Sequence, residues 1–240
     1  MIRFFLALQF LTIIPLRFNK IENVKLAESI YYFPLIGALL GCVLAALNIF
    51  LESYPVVSGI VVVISLIILT RGLHLDGLAD TADALLSGKT EKEKLQIMRD
   101  PHIGAMGTLS LISVVLMKIA LLLALSFSMR TRALILMTML SRWNLVFHLV
   151  SFPYARQEGK AAIFFKAISK KSFIIITILT AISCIIIYDL KSLLIFGIIA
   201  SFAYYMGTYF RRVLGGITGD TLGALVELTE IVALLMLILV

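Results

Sequence analysis

The sequence predicts an all-α, polytopic membrane bundle of about seven transmembrane helices, with a short N-terminal interfacial or re-entrant helix. Three observations predict it. The 240 residues are 61% hydrophobic, with a mean hydropathy of +1.06, whereas soluble domains are about half apolar. Apolar runs of about 20 residues, enough to cross a hydrocarbon core, recur along the chain with short connections. Lys and Arg between those runs gather in alternate loops, as the positive-inside rule requires.

The elements follow in order. The opening MIRFFLALQFLTIIP resembles a signal peptide in its early Arg and apolar stretch, but no small-residue cleavage site follows. Pro15 and Arg17 stop the run early, so an interfacial or re-entrant helix is expected, with a short first span as the alternative. Spans are expected near residues 31–51, 56–72, 104–126, 133–151, 173–188, 192–210 and 222–240, all in one membrane-embedded domain, 1–240. The small residues of FPLIGALLG, Phe33 to Gly41, suit close helix packing. Cys42 and Cys184 lie in apolar runs without metal-ligand or disulfide spacing and read as small core residues. No internal repeat emerges, which argues against an inverted-repeat transporter.

With a cytoplasmic N-terminus, the inside segments hold Arg3, Arg17, Lys20 and Lys25, then Arg71, Lys89, Lys92, Lys94 and Arg99. They continue with Arg156, Lys160, Lys166, Lys170 and Lys171, and end with Arg211 and Arg212. Outside remain Arg130, Arg132 and Lys191, while Lys118 and Arg142 fall within spans. This sorting accounts for the net charge of +7 without nucleic acid, for which no folded basic module is present. It also puts loops 73–103 and 211–221, which carry the unusual polar motifs, on the cytoplasmic side.

The first motif is LHLDGLADTADALLSG, where Asp76, Asp80 and Asp83 follow i, i+4, i+7 and share a helix face. Their repulsion costs stability unless a cation relieves it, and oxygen-only ligands favour Mg²⁺ held with substrate phosphates. Against this stands a merely solvated acidic face. His74, two residues before Asp76, reads either as a base or phosphate donor, or as an interfacial histidine with a satisfied ring. In the second motif, MRDPHIGAMG, Asp100 and Pro101 form an N-cap and first-turn pattern. Arg99 and His102 flank that helix start, where N–H groups attract anions, so phosphate binding competes with a plain cap. The third, GGITGDTLGALVELTE, sets Asp220 and Glu227 seven apart on one face, with Glu230 nearby, behind a glycine-rich turn holding Gly216 and Thr218 as candidate substrate contacts. The turn lacks the Gly-Lys-Ser/Thr ending of a P-loop. A carboxylate two turns into an apolar helix is a functional hypothesis by default, and the alternative is a capped helix whose carboxylates pair with Arg211 or Arg212. Arg142, mid-span beside Asn144, must face protein, water or ligand. Lys118 is left unassigned, with snorkelling toward the outer interface as the alternative to an inward role.

These three blocks resemble the signature blocks of the cobalamin synthase (adenosylcobinamide-GDP ribazoletransferase) family, and FPLIGALLG and FLTIIPLRF resemble its weaker early blocks, over residues 5 to 235. The resemblance implies a Mg²⁺-dependent enzyme of the cytoplasmic (inner) membrane of bacteria or archaea, with its active site facing the cytoplasm. It implies joining of adenosylcobinamide-GDP to α-ribazole, or its 5′-phosphate, with release of GMP. Carried over by motif, Asp76, Asp80 and Asp83 match the acidic block, Asp100 the second block, Asp220 and Glu227 the last, and Arg142 a central arginine. Ala84 stands where Gly is usual, and Pro101 and His102 where Ser-Arg is frequent.

The resulting expectation is a metal site of Asp76, Asp80, Asp83, Asp220 and Glu227, with catalytic roles among His74, Asp76, Asp80, Asp83 and Asp100. Arg99, His102, Arg142, Gly216 and Thr218 are expected to meet substrate. Association with other corrinoid-pathway enzymes, and an oligomer, are further expectations. The alternatives are a CDP-alcohol phosphotransferase, whose pattern begins D-x-x-D-G and continues with an Ala-Arg pair, or a cation transporter. The stretch here reads Asp-Gly-Leu-Ala-Asp and lacks the pair. A transporter needs carboxylates near the bilayer midplane.

Overall fold

The computed structural model describes residues 2–16, 23–156, 159, 161–166 and 169–240. Arg17, Lys20 and Lys160 of the charge reading lie outside these residues, as does the side chain of Lys166. The α-helices are α1 (Ile2–Leu11), α2 (Asn23–Ala27), α3 (Phe33–Phe50), α4 (Pro55–Leu69), α5 (Leu73–Leu85), α6 (Glu91–Ile97), α7 (Ala105–Ala124), α8 (Phe127–Ser151), α9 (Lys170–Ile187), α10 (Ser192–Leu214) and α11 (Gly219–Leu239). Among the described residues, extended backbone pairs only in an isolated parallel bridge between Tyr154 and Ile217.

Six stretches are long and apolar enough to cross a membrane: Lys25–Phe50, α7, α8, α9, α10 and α11. The expected second span has a different form. With 15 residues, α4 is only about 22 Å long, short of a hydrocarbon core of about 30 Å. The chain then bends by 89° into α5, so α4 and α5 form one bent pair, a broken span or a re-entrant loop. Arg71 (φ 55°) and Gly72 (φ 66°) make that bend in the left-handed region, which glycine reaches without a Cβ penalty and arginine does not. Arg71 is held there by its guanidinium, which donates to the Thr12 carbonyl at 3.0 Å. α1, ten residues long, is too short to span, and the Ile13 N–H that follows it donates to the Leu69 carbonyl at 2.7 Å.

α8 is the central column, with 83% of its most apolar window buried inside the protein against 17% for α9. Lipid tails give apolar helices no hydrophobic reason to associate, so close backbone approach has to supply the contact. FPLIGALLG does this as expected: a Cβ at Gly37 would stand 2.3 Å from the Thr138 carbonyl oxygen of α8. α5 packs along α11 and α7. A Cβ at Gly77 would lie 2.6 Å from the Asp220 carbonyl oxygen, so this glycine lets the first and third motifs touch. Both cysteines are free; Cys184 is buried as expected, whereas Cys42 is exposed on α3, because its apolar run is long enough to turn one face outward.

Gly77→Val should lower the thermal unfolding midpoint in detergent, at an overpacking cost of about 1–3 kcal/mol. Gly197→Ala, where a Cβ meets open space, should leave the midpoint unchanged.

Candidate active site

α5 carries Asp76, Asp80 and Asp83 on one helix, as their spacing requires. Their partners differ. Asp83 accepts from the Gly104 N–H at 2.7 Å and the Gly107 N–H at 2.8 Å. Those groups belong to the N-cap and first turn of α7, so Asp83 satisfies the open N–H groups and positive end of a neighbouring helix. No hydrogen bond or ion pair reaches the carboxylates of Asp76 or Asp80 among the described residues. Asp80 lies within electrostatic reach of Asp220, Asp76 and Asp83.

The second motif departs from expectation. α7 begins at Ala105 with Gly104 as its N-cap, so Asp100 and Pro101 do not start it. The anion at that helix start is Asp83, delivered from α5. Asp100 instead closes a local turn, accepting from the His102 N–H at 3.0 Å and pairing with its ring Nδ1 at 2.7 Å. These bonds hold the exposed Asp100 carboxyl below its usual range. Neither Asp100 nor His102 lines the cleft described below, whereas Arg99 does.

In the third motif Thr218 is the N-cap of α11: its hydroxyl accepts from the Thr221 N–H at 3.1 Å, and its own N–H donates to the Thr221 hydroxyl at 2.8 Å. Gly216 packs under the Pro153 carbonyl, 2.4 Å from where its Cβ would be. These two expected substrate contacts are thus engaged with the chain itself and lie outside the cleft lining. Asp220, in the first turn of α11, accepts from Arg156 Nη2 at 2.7 Å rather than pairing with Arg211 or Arg212.

Glu227 sits two turns deeper and meets different company. Lys118 Nζ donates to it at 2.6 Å and also to Glu230, which pairs with Arg142. Lys118 does not snorkel outward; it is 3% exposed, and Arg142 is fully buried. Two cations and two carboxylates cancel one another where unpaired charge would be costly. The charged neighbours of Glu227 are Lys118, Glu230 and Arg142, and neither Glu227 nor Arg142 lines the cleft described below.

A cleft of about 540 Å³ lies between α5, the first turn of α11, α8 and the segment after it. His74, Asp76, Arg99, Tyr154, Arg156 and Asp220 supply its polar lining, and Phe10, Phe33, Met98, Leu145, Leu149 and Phe164 an apolar wall. His74 is buried, and its Nε2 has no hydrogen-bond partner. Tyr154 and Arg156 reach the cleft because their strand-like segment is pinned to the turn before α11. Ile217 N–H donates to the Pro153 carbonyl and Ala155 N–H to the Ile217 carbonyl, each at 2.9 Å. Neither residue was singled out by sequence reasoning; its only sign was a basic residue in a loop directly after a span.

Among the described residues no three His, Cys, Asp or Glu side chains converge closely enough to hold a metal alone. The donor chemistry nevertheless fits Mg²⁺. Asp76 and Asp80 are free oxygen donors beside Asp220, and Mg²⁺ is commonly held by one or two carboxylates, waters and substrate phosphates.

Fold and cleft together define a polytopic helical membrane protein with a site of carboxylates, arginines and an unpaired imidazole, suited to phosphorylated substrates. The chain belongs to the CobS family, described as cobalamin-5-phosphate synthase, whose model matches residues 3–238. It is 37% identical over 227 residues to an adenosylcobinamide-GDP ribazoletransferase of Desulforamulus reducens, covering 94% of this chain and 91% of the relative. A protein of the same name from Pseudomonas syringae pv. syringae is 34% identical over 242 residues, covering all of both chains. No solved structure matches.

Lys118→Met should sharply lower the unfolding midpoint, since breaking a buried pair costs about 3–5 kcal/mol. Adding Glu227→Gln should recover part of that loss, as read by thermal unfolding in detergent.

Proposed function

We infer that this chain transfers the adenosylcobinamide-phosphate group from adenosylcobinamide-GDP to α-ribazole or its 5′-phosphate, releasing GMP. The observation that carries it is the close contact of Gly77 with Asp220, which sets the aspartates of two distant motifs beside one cleft. Family membership favours this reading over a CDP-alcohol phosphotransferase or a cation transporter. The basic residues of the loop before α7 and of the last turn of α10 support a cytoplasmic opening for the cleft.

In this reading a ribose hydroxyl that is free in both α-ribazole and its 5′-phosphate attacks the phosphorus bonded to cobinamide. The bond from that phosphorus to the bridging oxygen breaks, and GMP leaves with that oxygen. His74 Nε2, buried and unpartnered, takes the hydroxyl proton. Asp76 and Asp80, with waters and the diphosphate itself, would hold Mg²⁺, which would supply charge neutralisation at the diphosphate. Arg99, at the cleft, balances phosphate charge. Asp83 orients α5 against α7 and so positions Asp80 one turn away.

Purified protein should form cobamide from adenosylcobinamide-GDP and α-ribazole with Mg²⁺, and none from CDP-alcohol. Chelation with EDTA should stop turnover without lowering the unfolding midpoint. Asp76→Ala and Asp80→Ala should lose turnover while staying folded, and His74→Gln should lose about 10²–10⁴-fold. Full Mg²⁺-dependent activity in the two aspartate variants would refute the assignment.

A further inference from the structure

Arg156 belongs to none of the three motifs, yet it is ion-paired with an aspartate of the third at the cleft. Its Nη2 donates to Asp220 Oδ2 at 2.7 Å, and both residues line the cleft. Their side chains are 11% and 22% exposed, so the pair is largely withdrawn from water but within reach of a ligand. The guanidinium is not used up: its Nε is buried without a partner. Asp80 also feels its charge.

We propose that Arg156 grips the substrate's diphosphate, and that Asp220 holds its guanidinium ready until the substrate arrives. This rests on the reading of the cleft as a diphosphate site. Guanidinium presents five donors in a planar fork that matches phosphate oxygens two at a time, whereas Asp220 engages one nitrogen. A diphosphate offers more charge and more acceptors than one carboxylate and draws the fork away. The backbone does not have to move, because the Tyr154–Ile217 bridge ties the arginine's segment to the start of α11. The exchange leaves the Asp220 carboxylate open at the moment the diphosphate brings its own charge into the cleft. Arg156 is therefore a substrate-binding residue, and Asp220 both its counter-ion and a group uncovered by binding.

The test measures binding of inorganic pyrophosphate to the purified full chain in detergent, in metal-free buffer, by calorimetry. Arg156→Gln should weaken binding about 10–100-fold, and Arg156→Lys by less. Asp220→Asn should tighten binding in the wild-type background but not in Arg156→Gln, a coupling that a double-mutant cycle reads directly. Unchanged affinity in Arg156→Gln, an equal gain from Asp220→Asn in both backgrounds, or no binding by wild type overturns the proposal. In turnover, Arg156→Gln should raise KM for adenosylcobinamide-GDP and leave KM for α-ribazole unchanged; the reverse overturns it. Should Arg156→Gln fail to fold, Arg156→Lys decides, and wild-type pyrophosphate affinity in that variant overturns the proposal. Absence of cobamide product together with intact pyrophosphate coupling would sink the functional reading and keep the assignment of Arg156.

Discussion

Lys118, Glu227, Glu230 and Arg142 form the interaction on which the rest of the structure depends. They join α7, α11 and α8 at a depth where water is scarce and apolar side chains gain little by meeting one another. Each charge is tolerable only because the opposite charge sits beside it, so the register of the three helices is set together. The first turn of α11 lies about 10 Å above Glu227, and that of α7 about 16 Å above Lys118. Those two first turns carry Asp220 and the N–H groups that Asp83 caps. The depth of the ion network thereby fixes where the site's two rims stand.

α5 cannot hold its own place, being 13 residues long and the second half of a bent helix pair. It is fixed at three points. Arg71 ties the bend before it to the N-terminal segment, Gly77 lets its middle touch α11, and Asp83 binds its far end to α7. A charge-bearing helix is thus clamped by hydrogen bonds and backbone contact, not by apolar packing alone. Two aspartates one turn apart, Asp80 and Asp83, consequently have different duties. The second secures the helix that presents the first.

Hydropathy made the bundle legible, since a span's length and the charge of its loops are properties of a local stretch of chain. The i, i+4, i+7 spacing likewise placed three aspartates on one face of what proved to be a helix. Periodicity records a helix's own faces and says nothing of the partner each face meets. Asp100-Pro101 carried every local mark of a helix start, but Asp83, seventeen residues earlier in sequence and adjacent in space, took that role for a helix beginning at Ala105. Lys118 had no assignment from sequence because its partners are more than 100 residues away. Arg156 looked like one loop cation among many, and only the bridge from Tyr154 to Ile217 carries its segment to the cleft.

What separates architecture from chemistry here is partnering and not residue type. Asp83, Glu227 and Glu230 are as acidic as Asp76 and Asp80, but their oxygens are spent on helix N–H groups, a lysine and an arginine. Asp76 and Asp80 are left without such partners, and so is the Nε2 of His74. Asp76 is exposed and Asp80 half-buried, so an incoming cation or ligand can reach their oxygens, whereas the Nε2 of His74 is buried at the cleft. Asp220 stands between the two classes, bound to a side chain that a ligand can displace. The carboxylates of one motif therefore divide into Asp83, which fixes a neighbouring helix, and Asp76 and Asp80, which stay open, with Asp76 at the cleft lining, and the dividing line follows hydrogen bonds that no spacing rule contains.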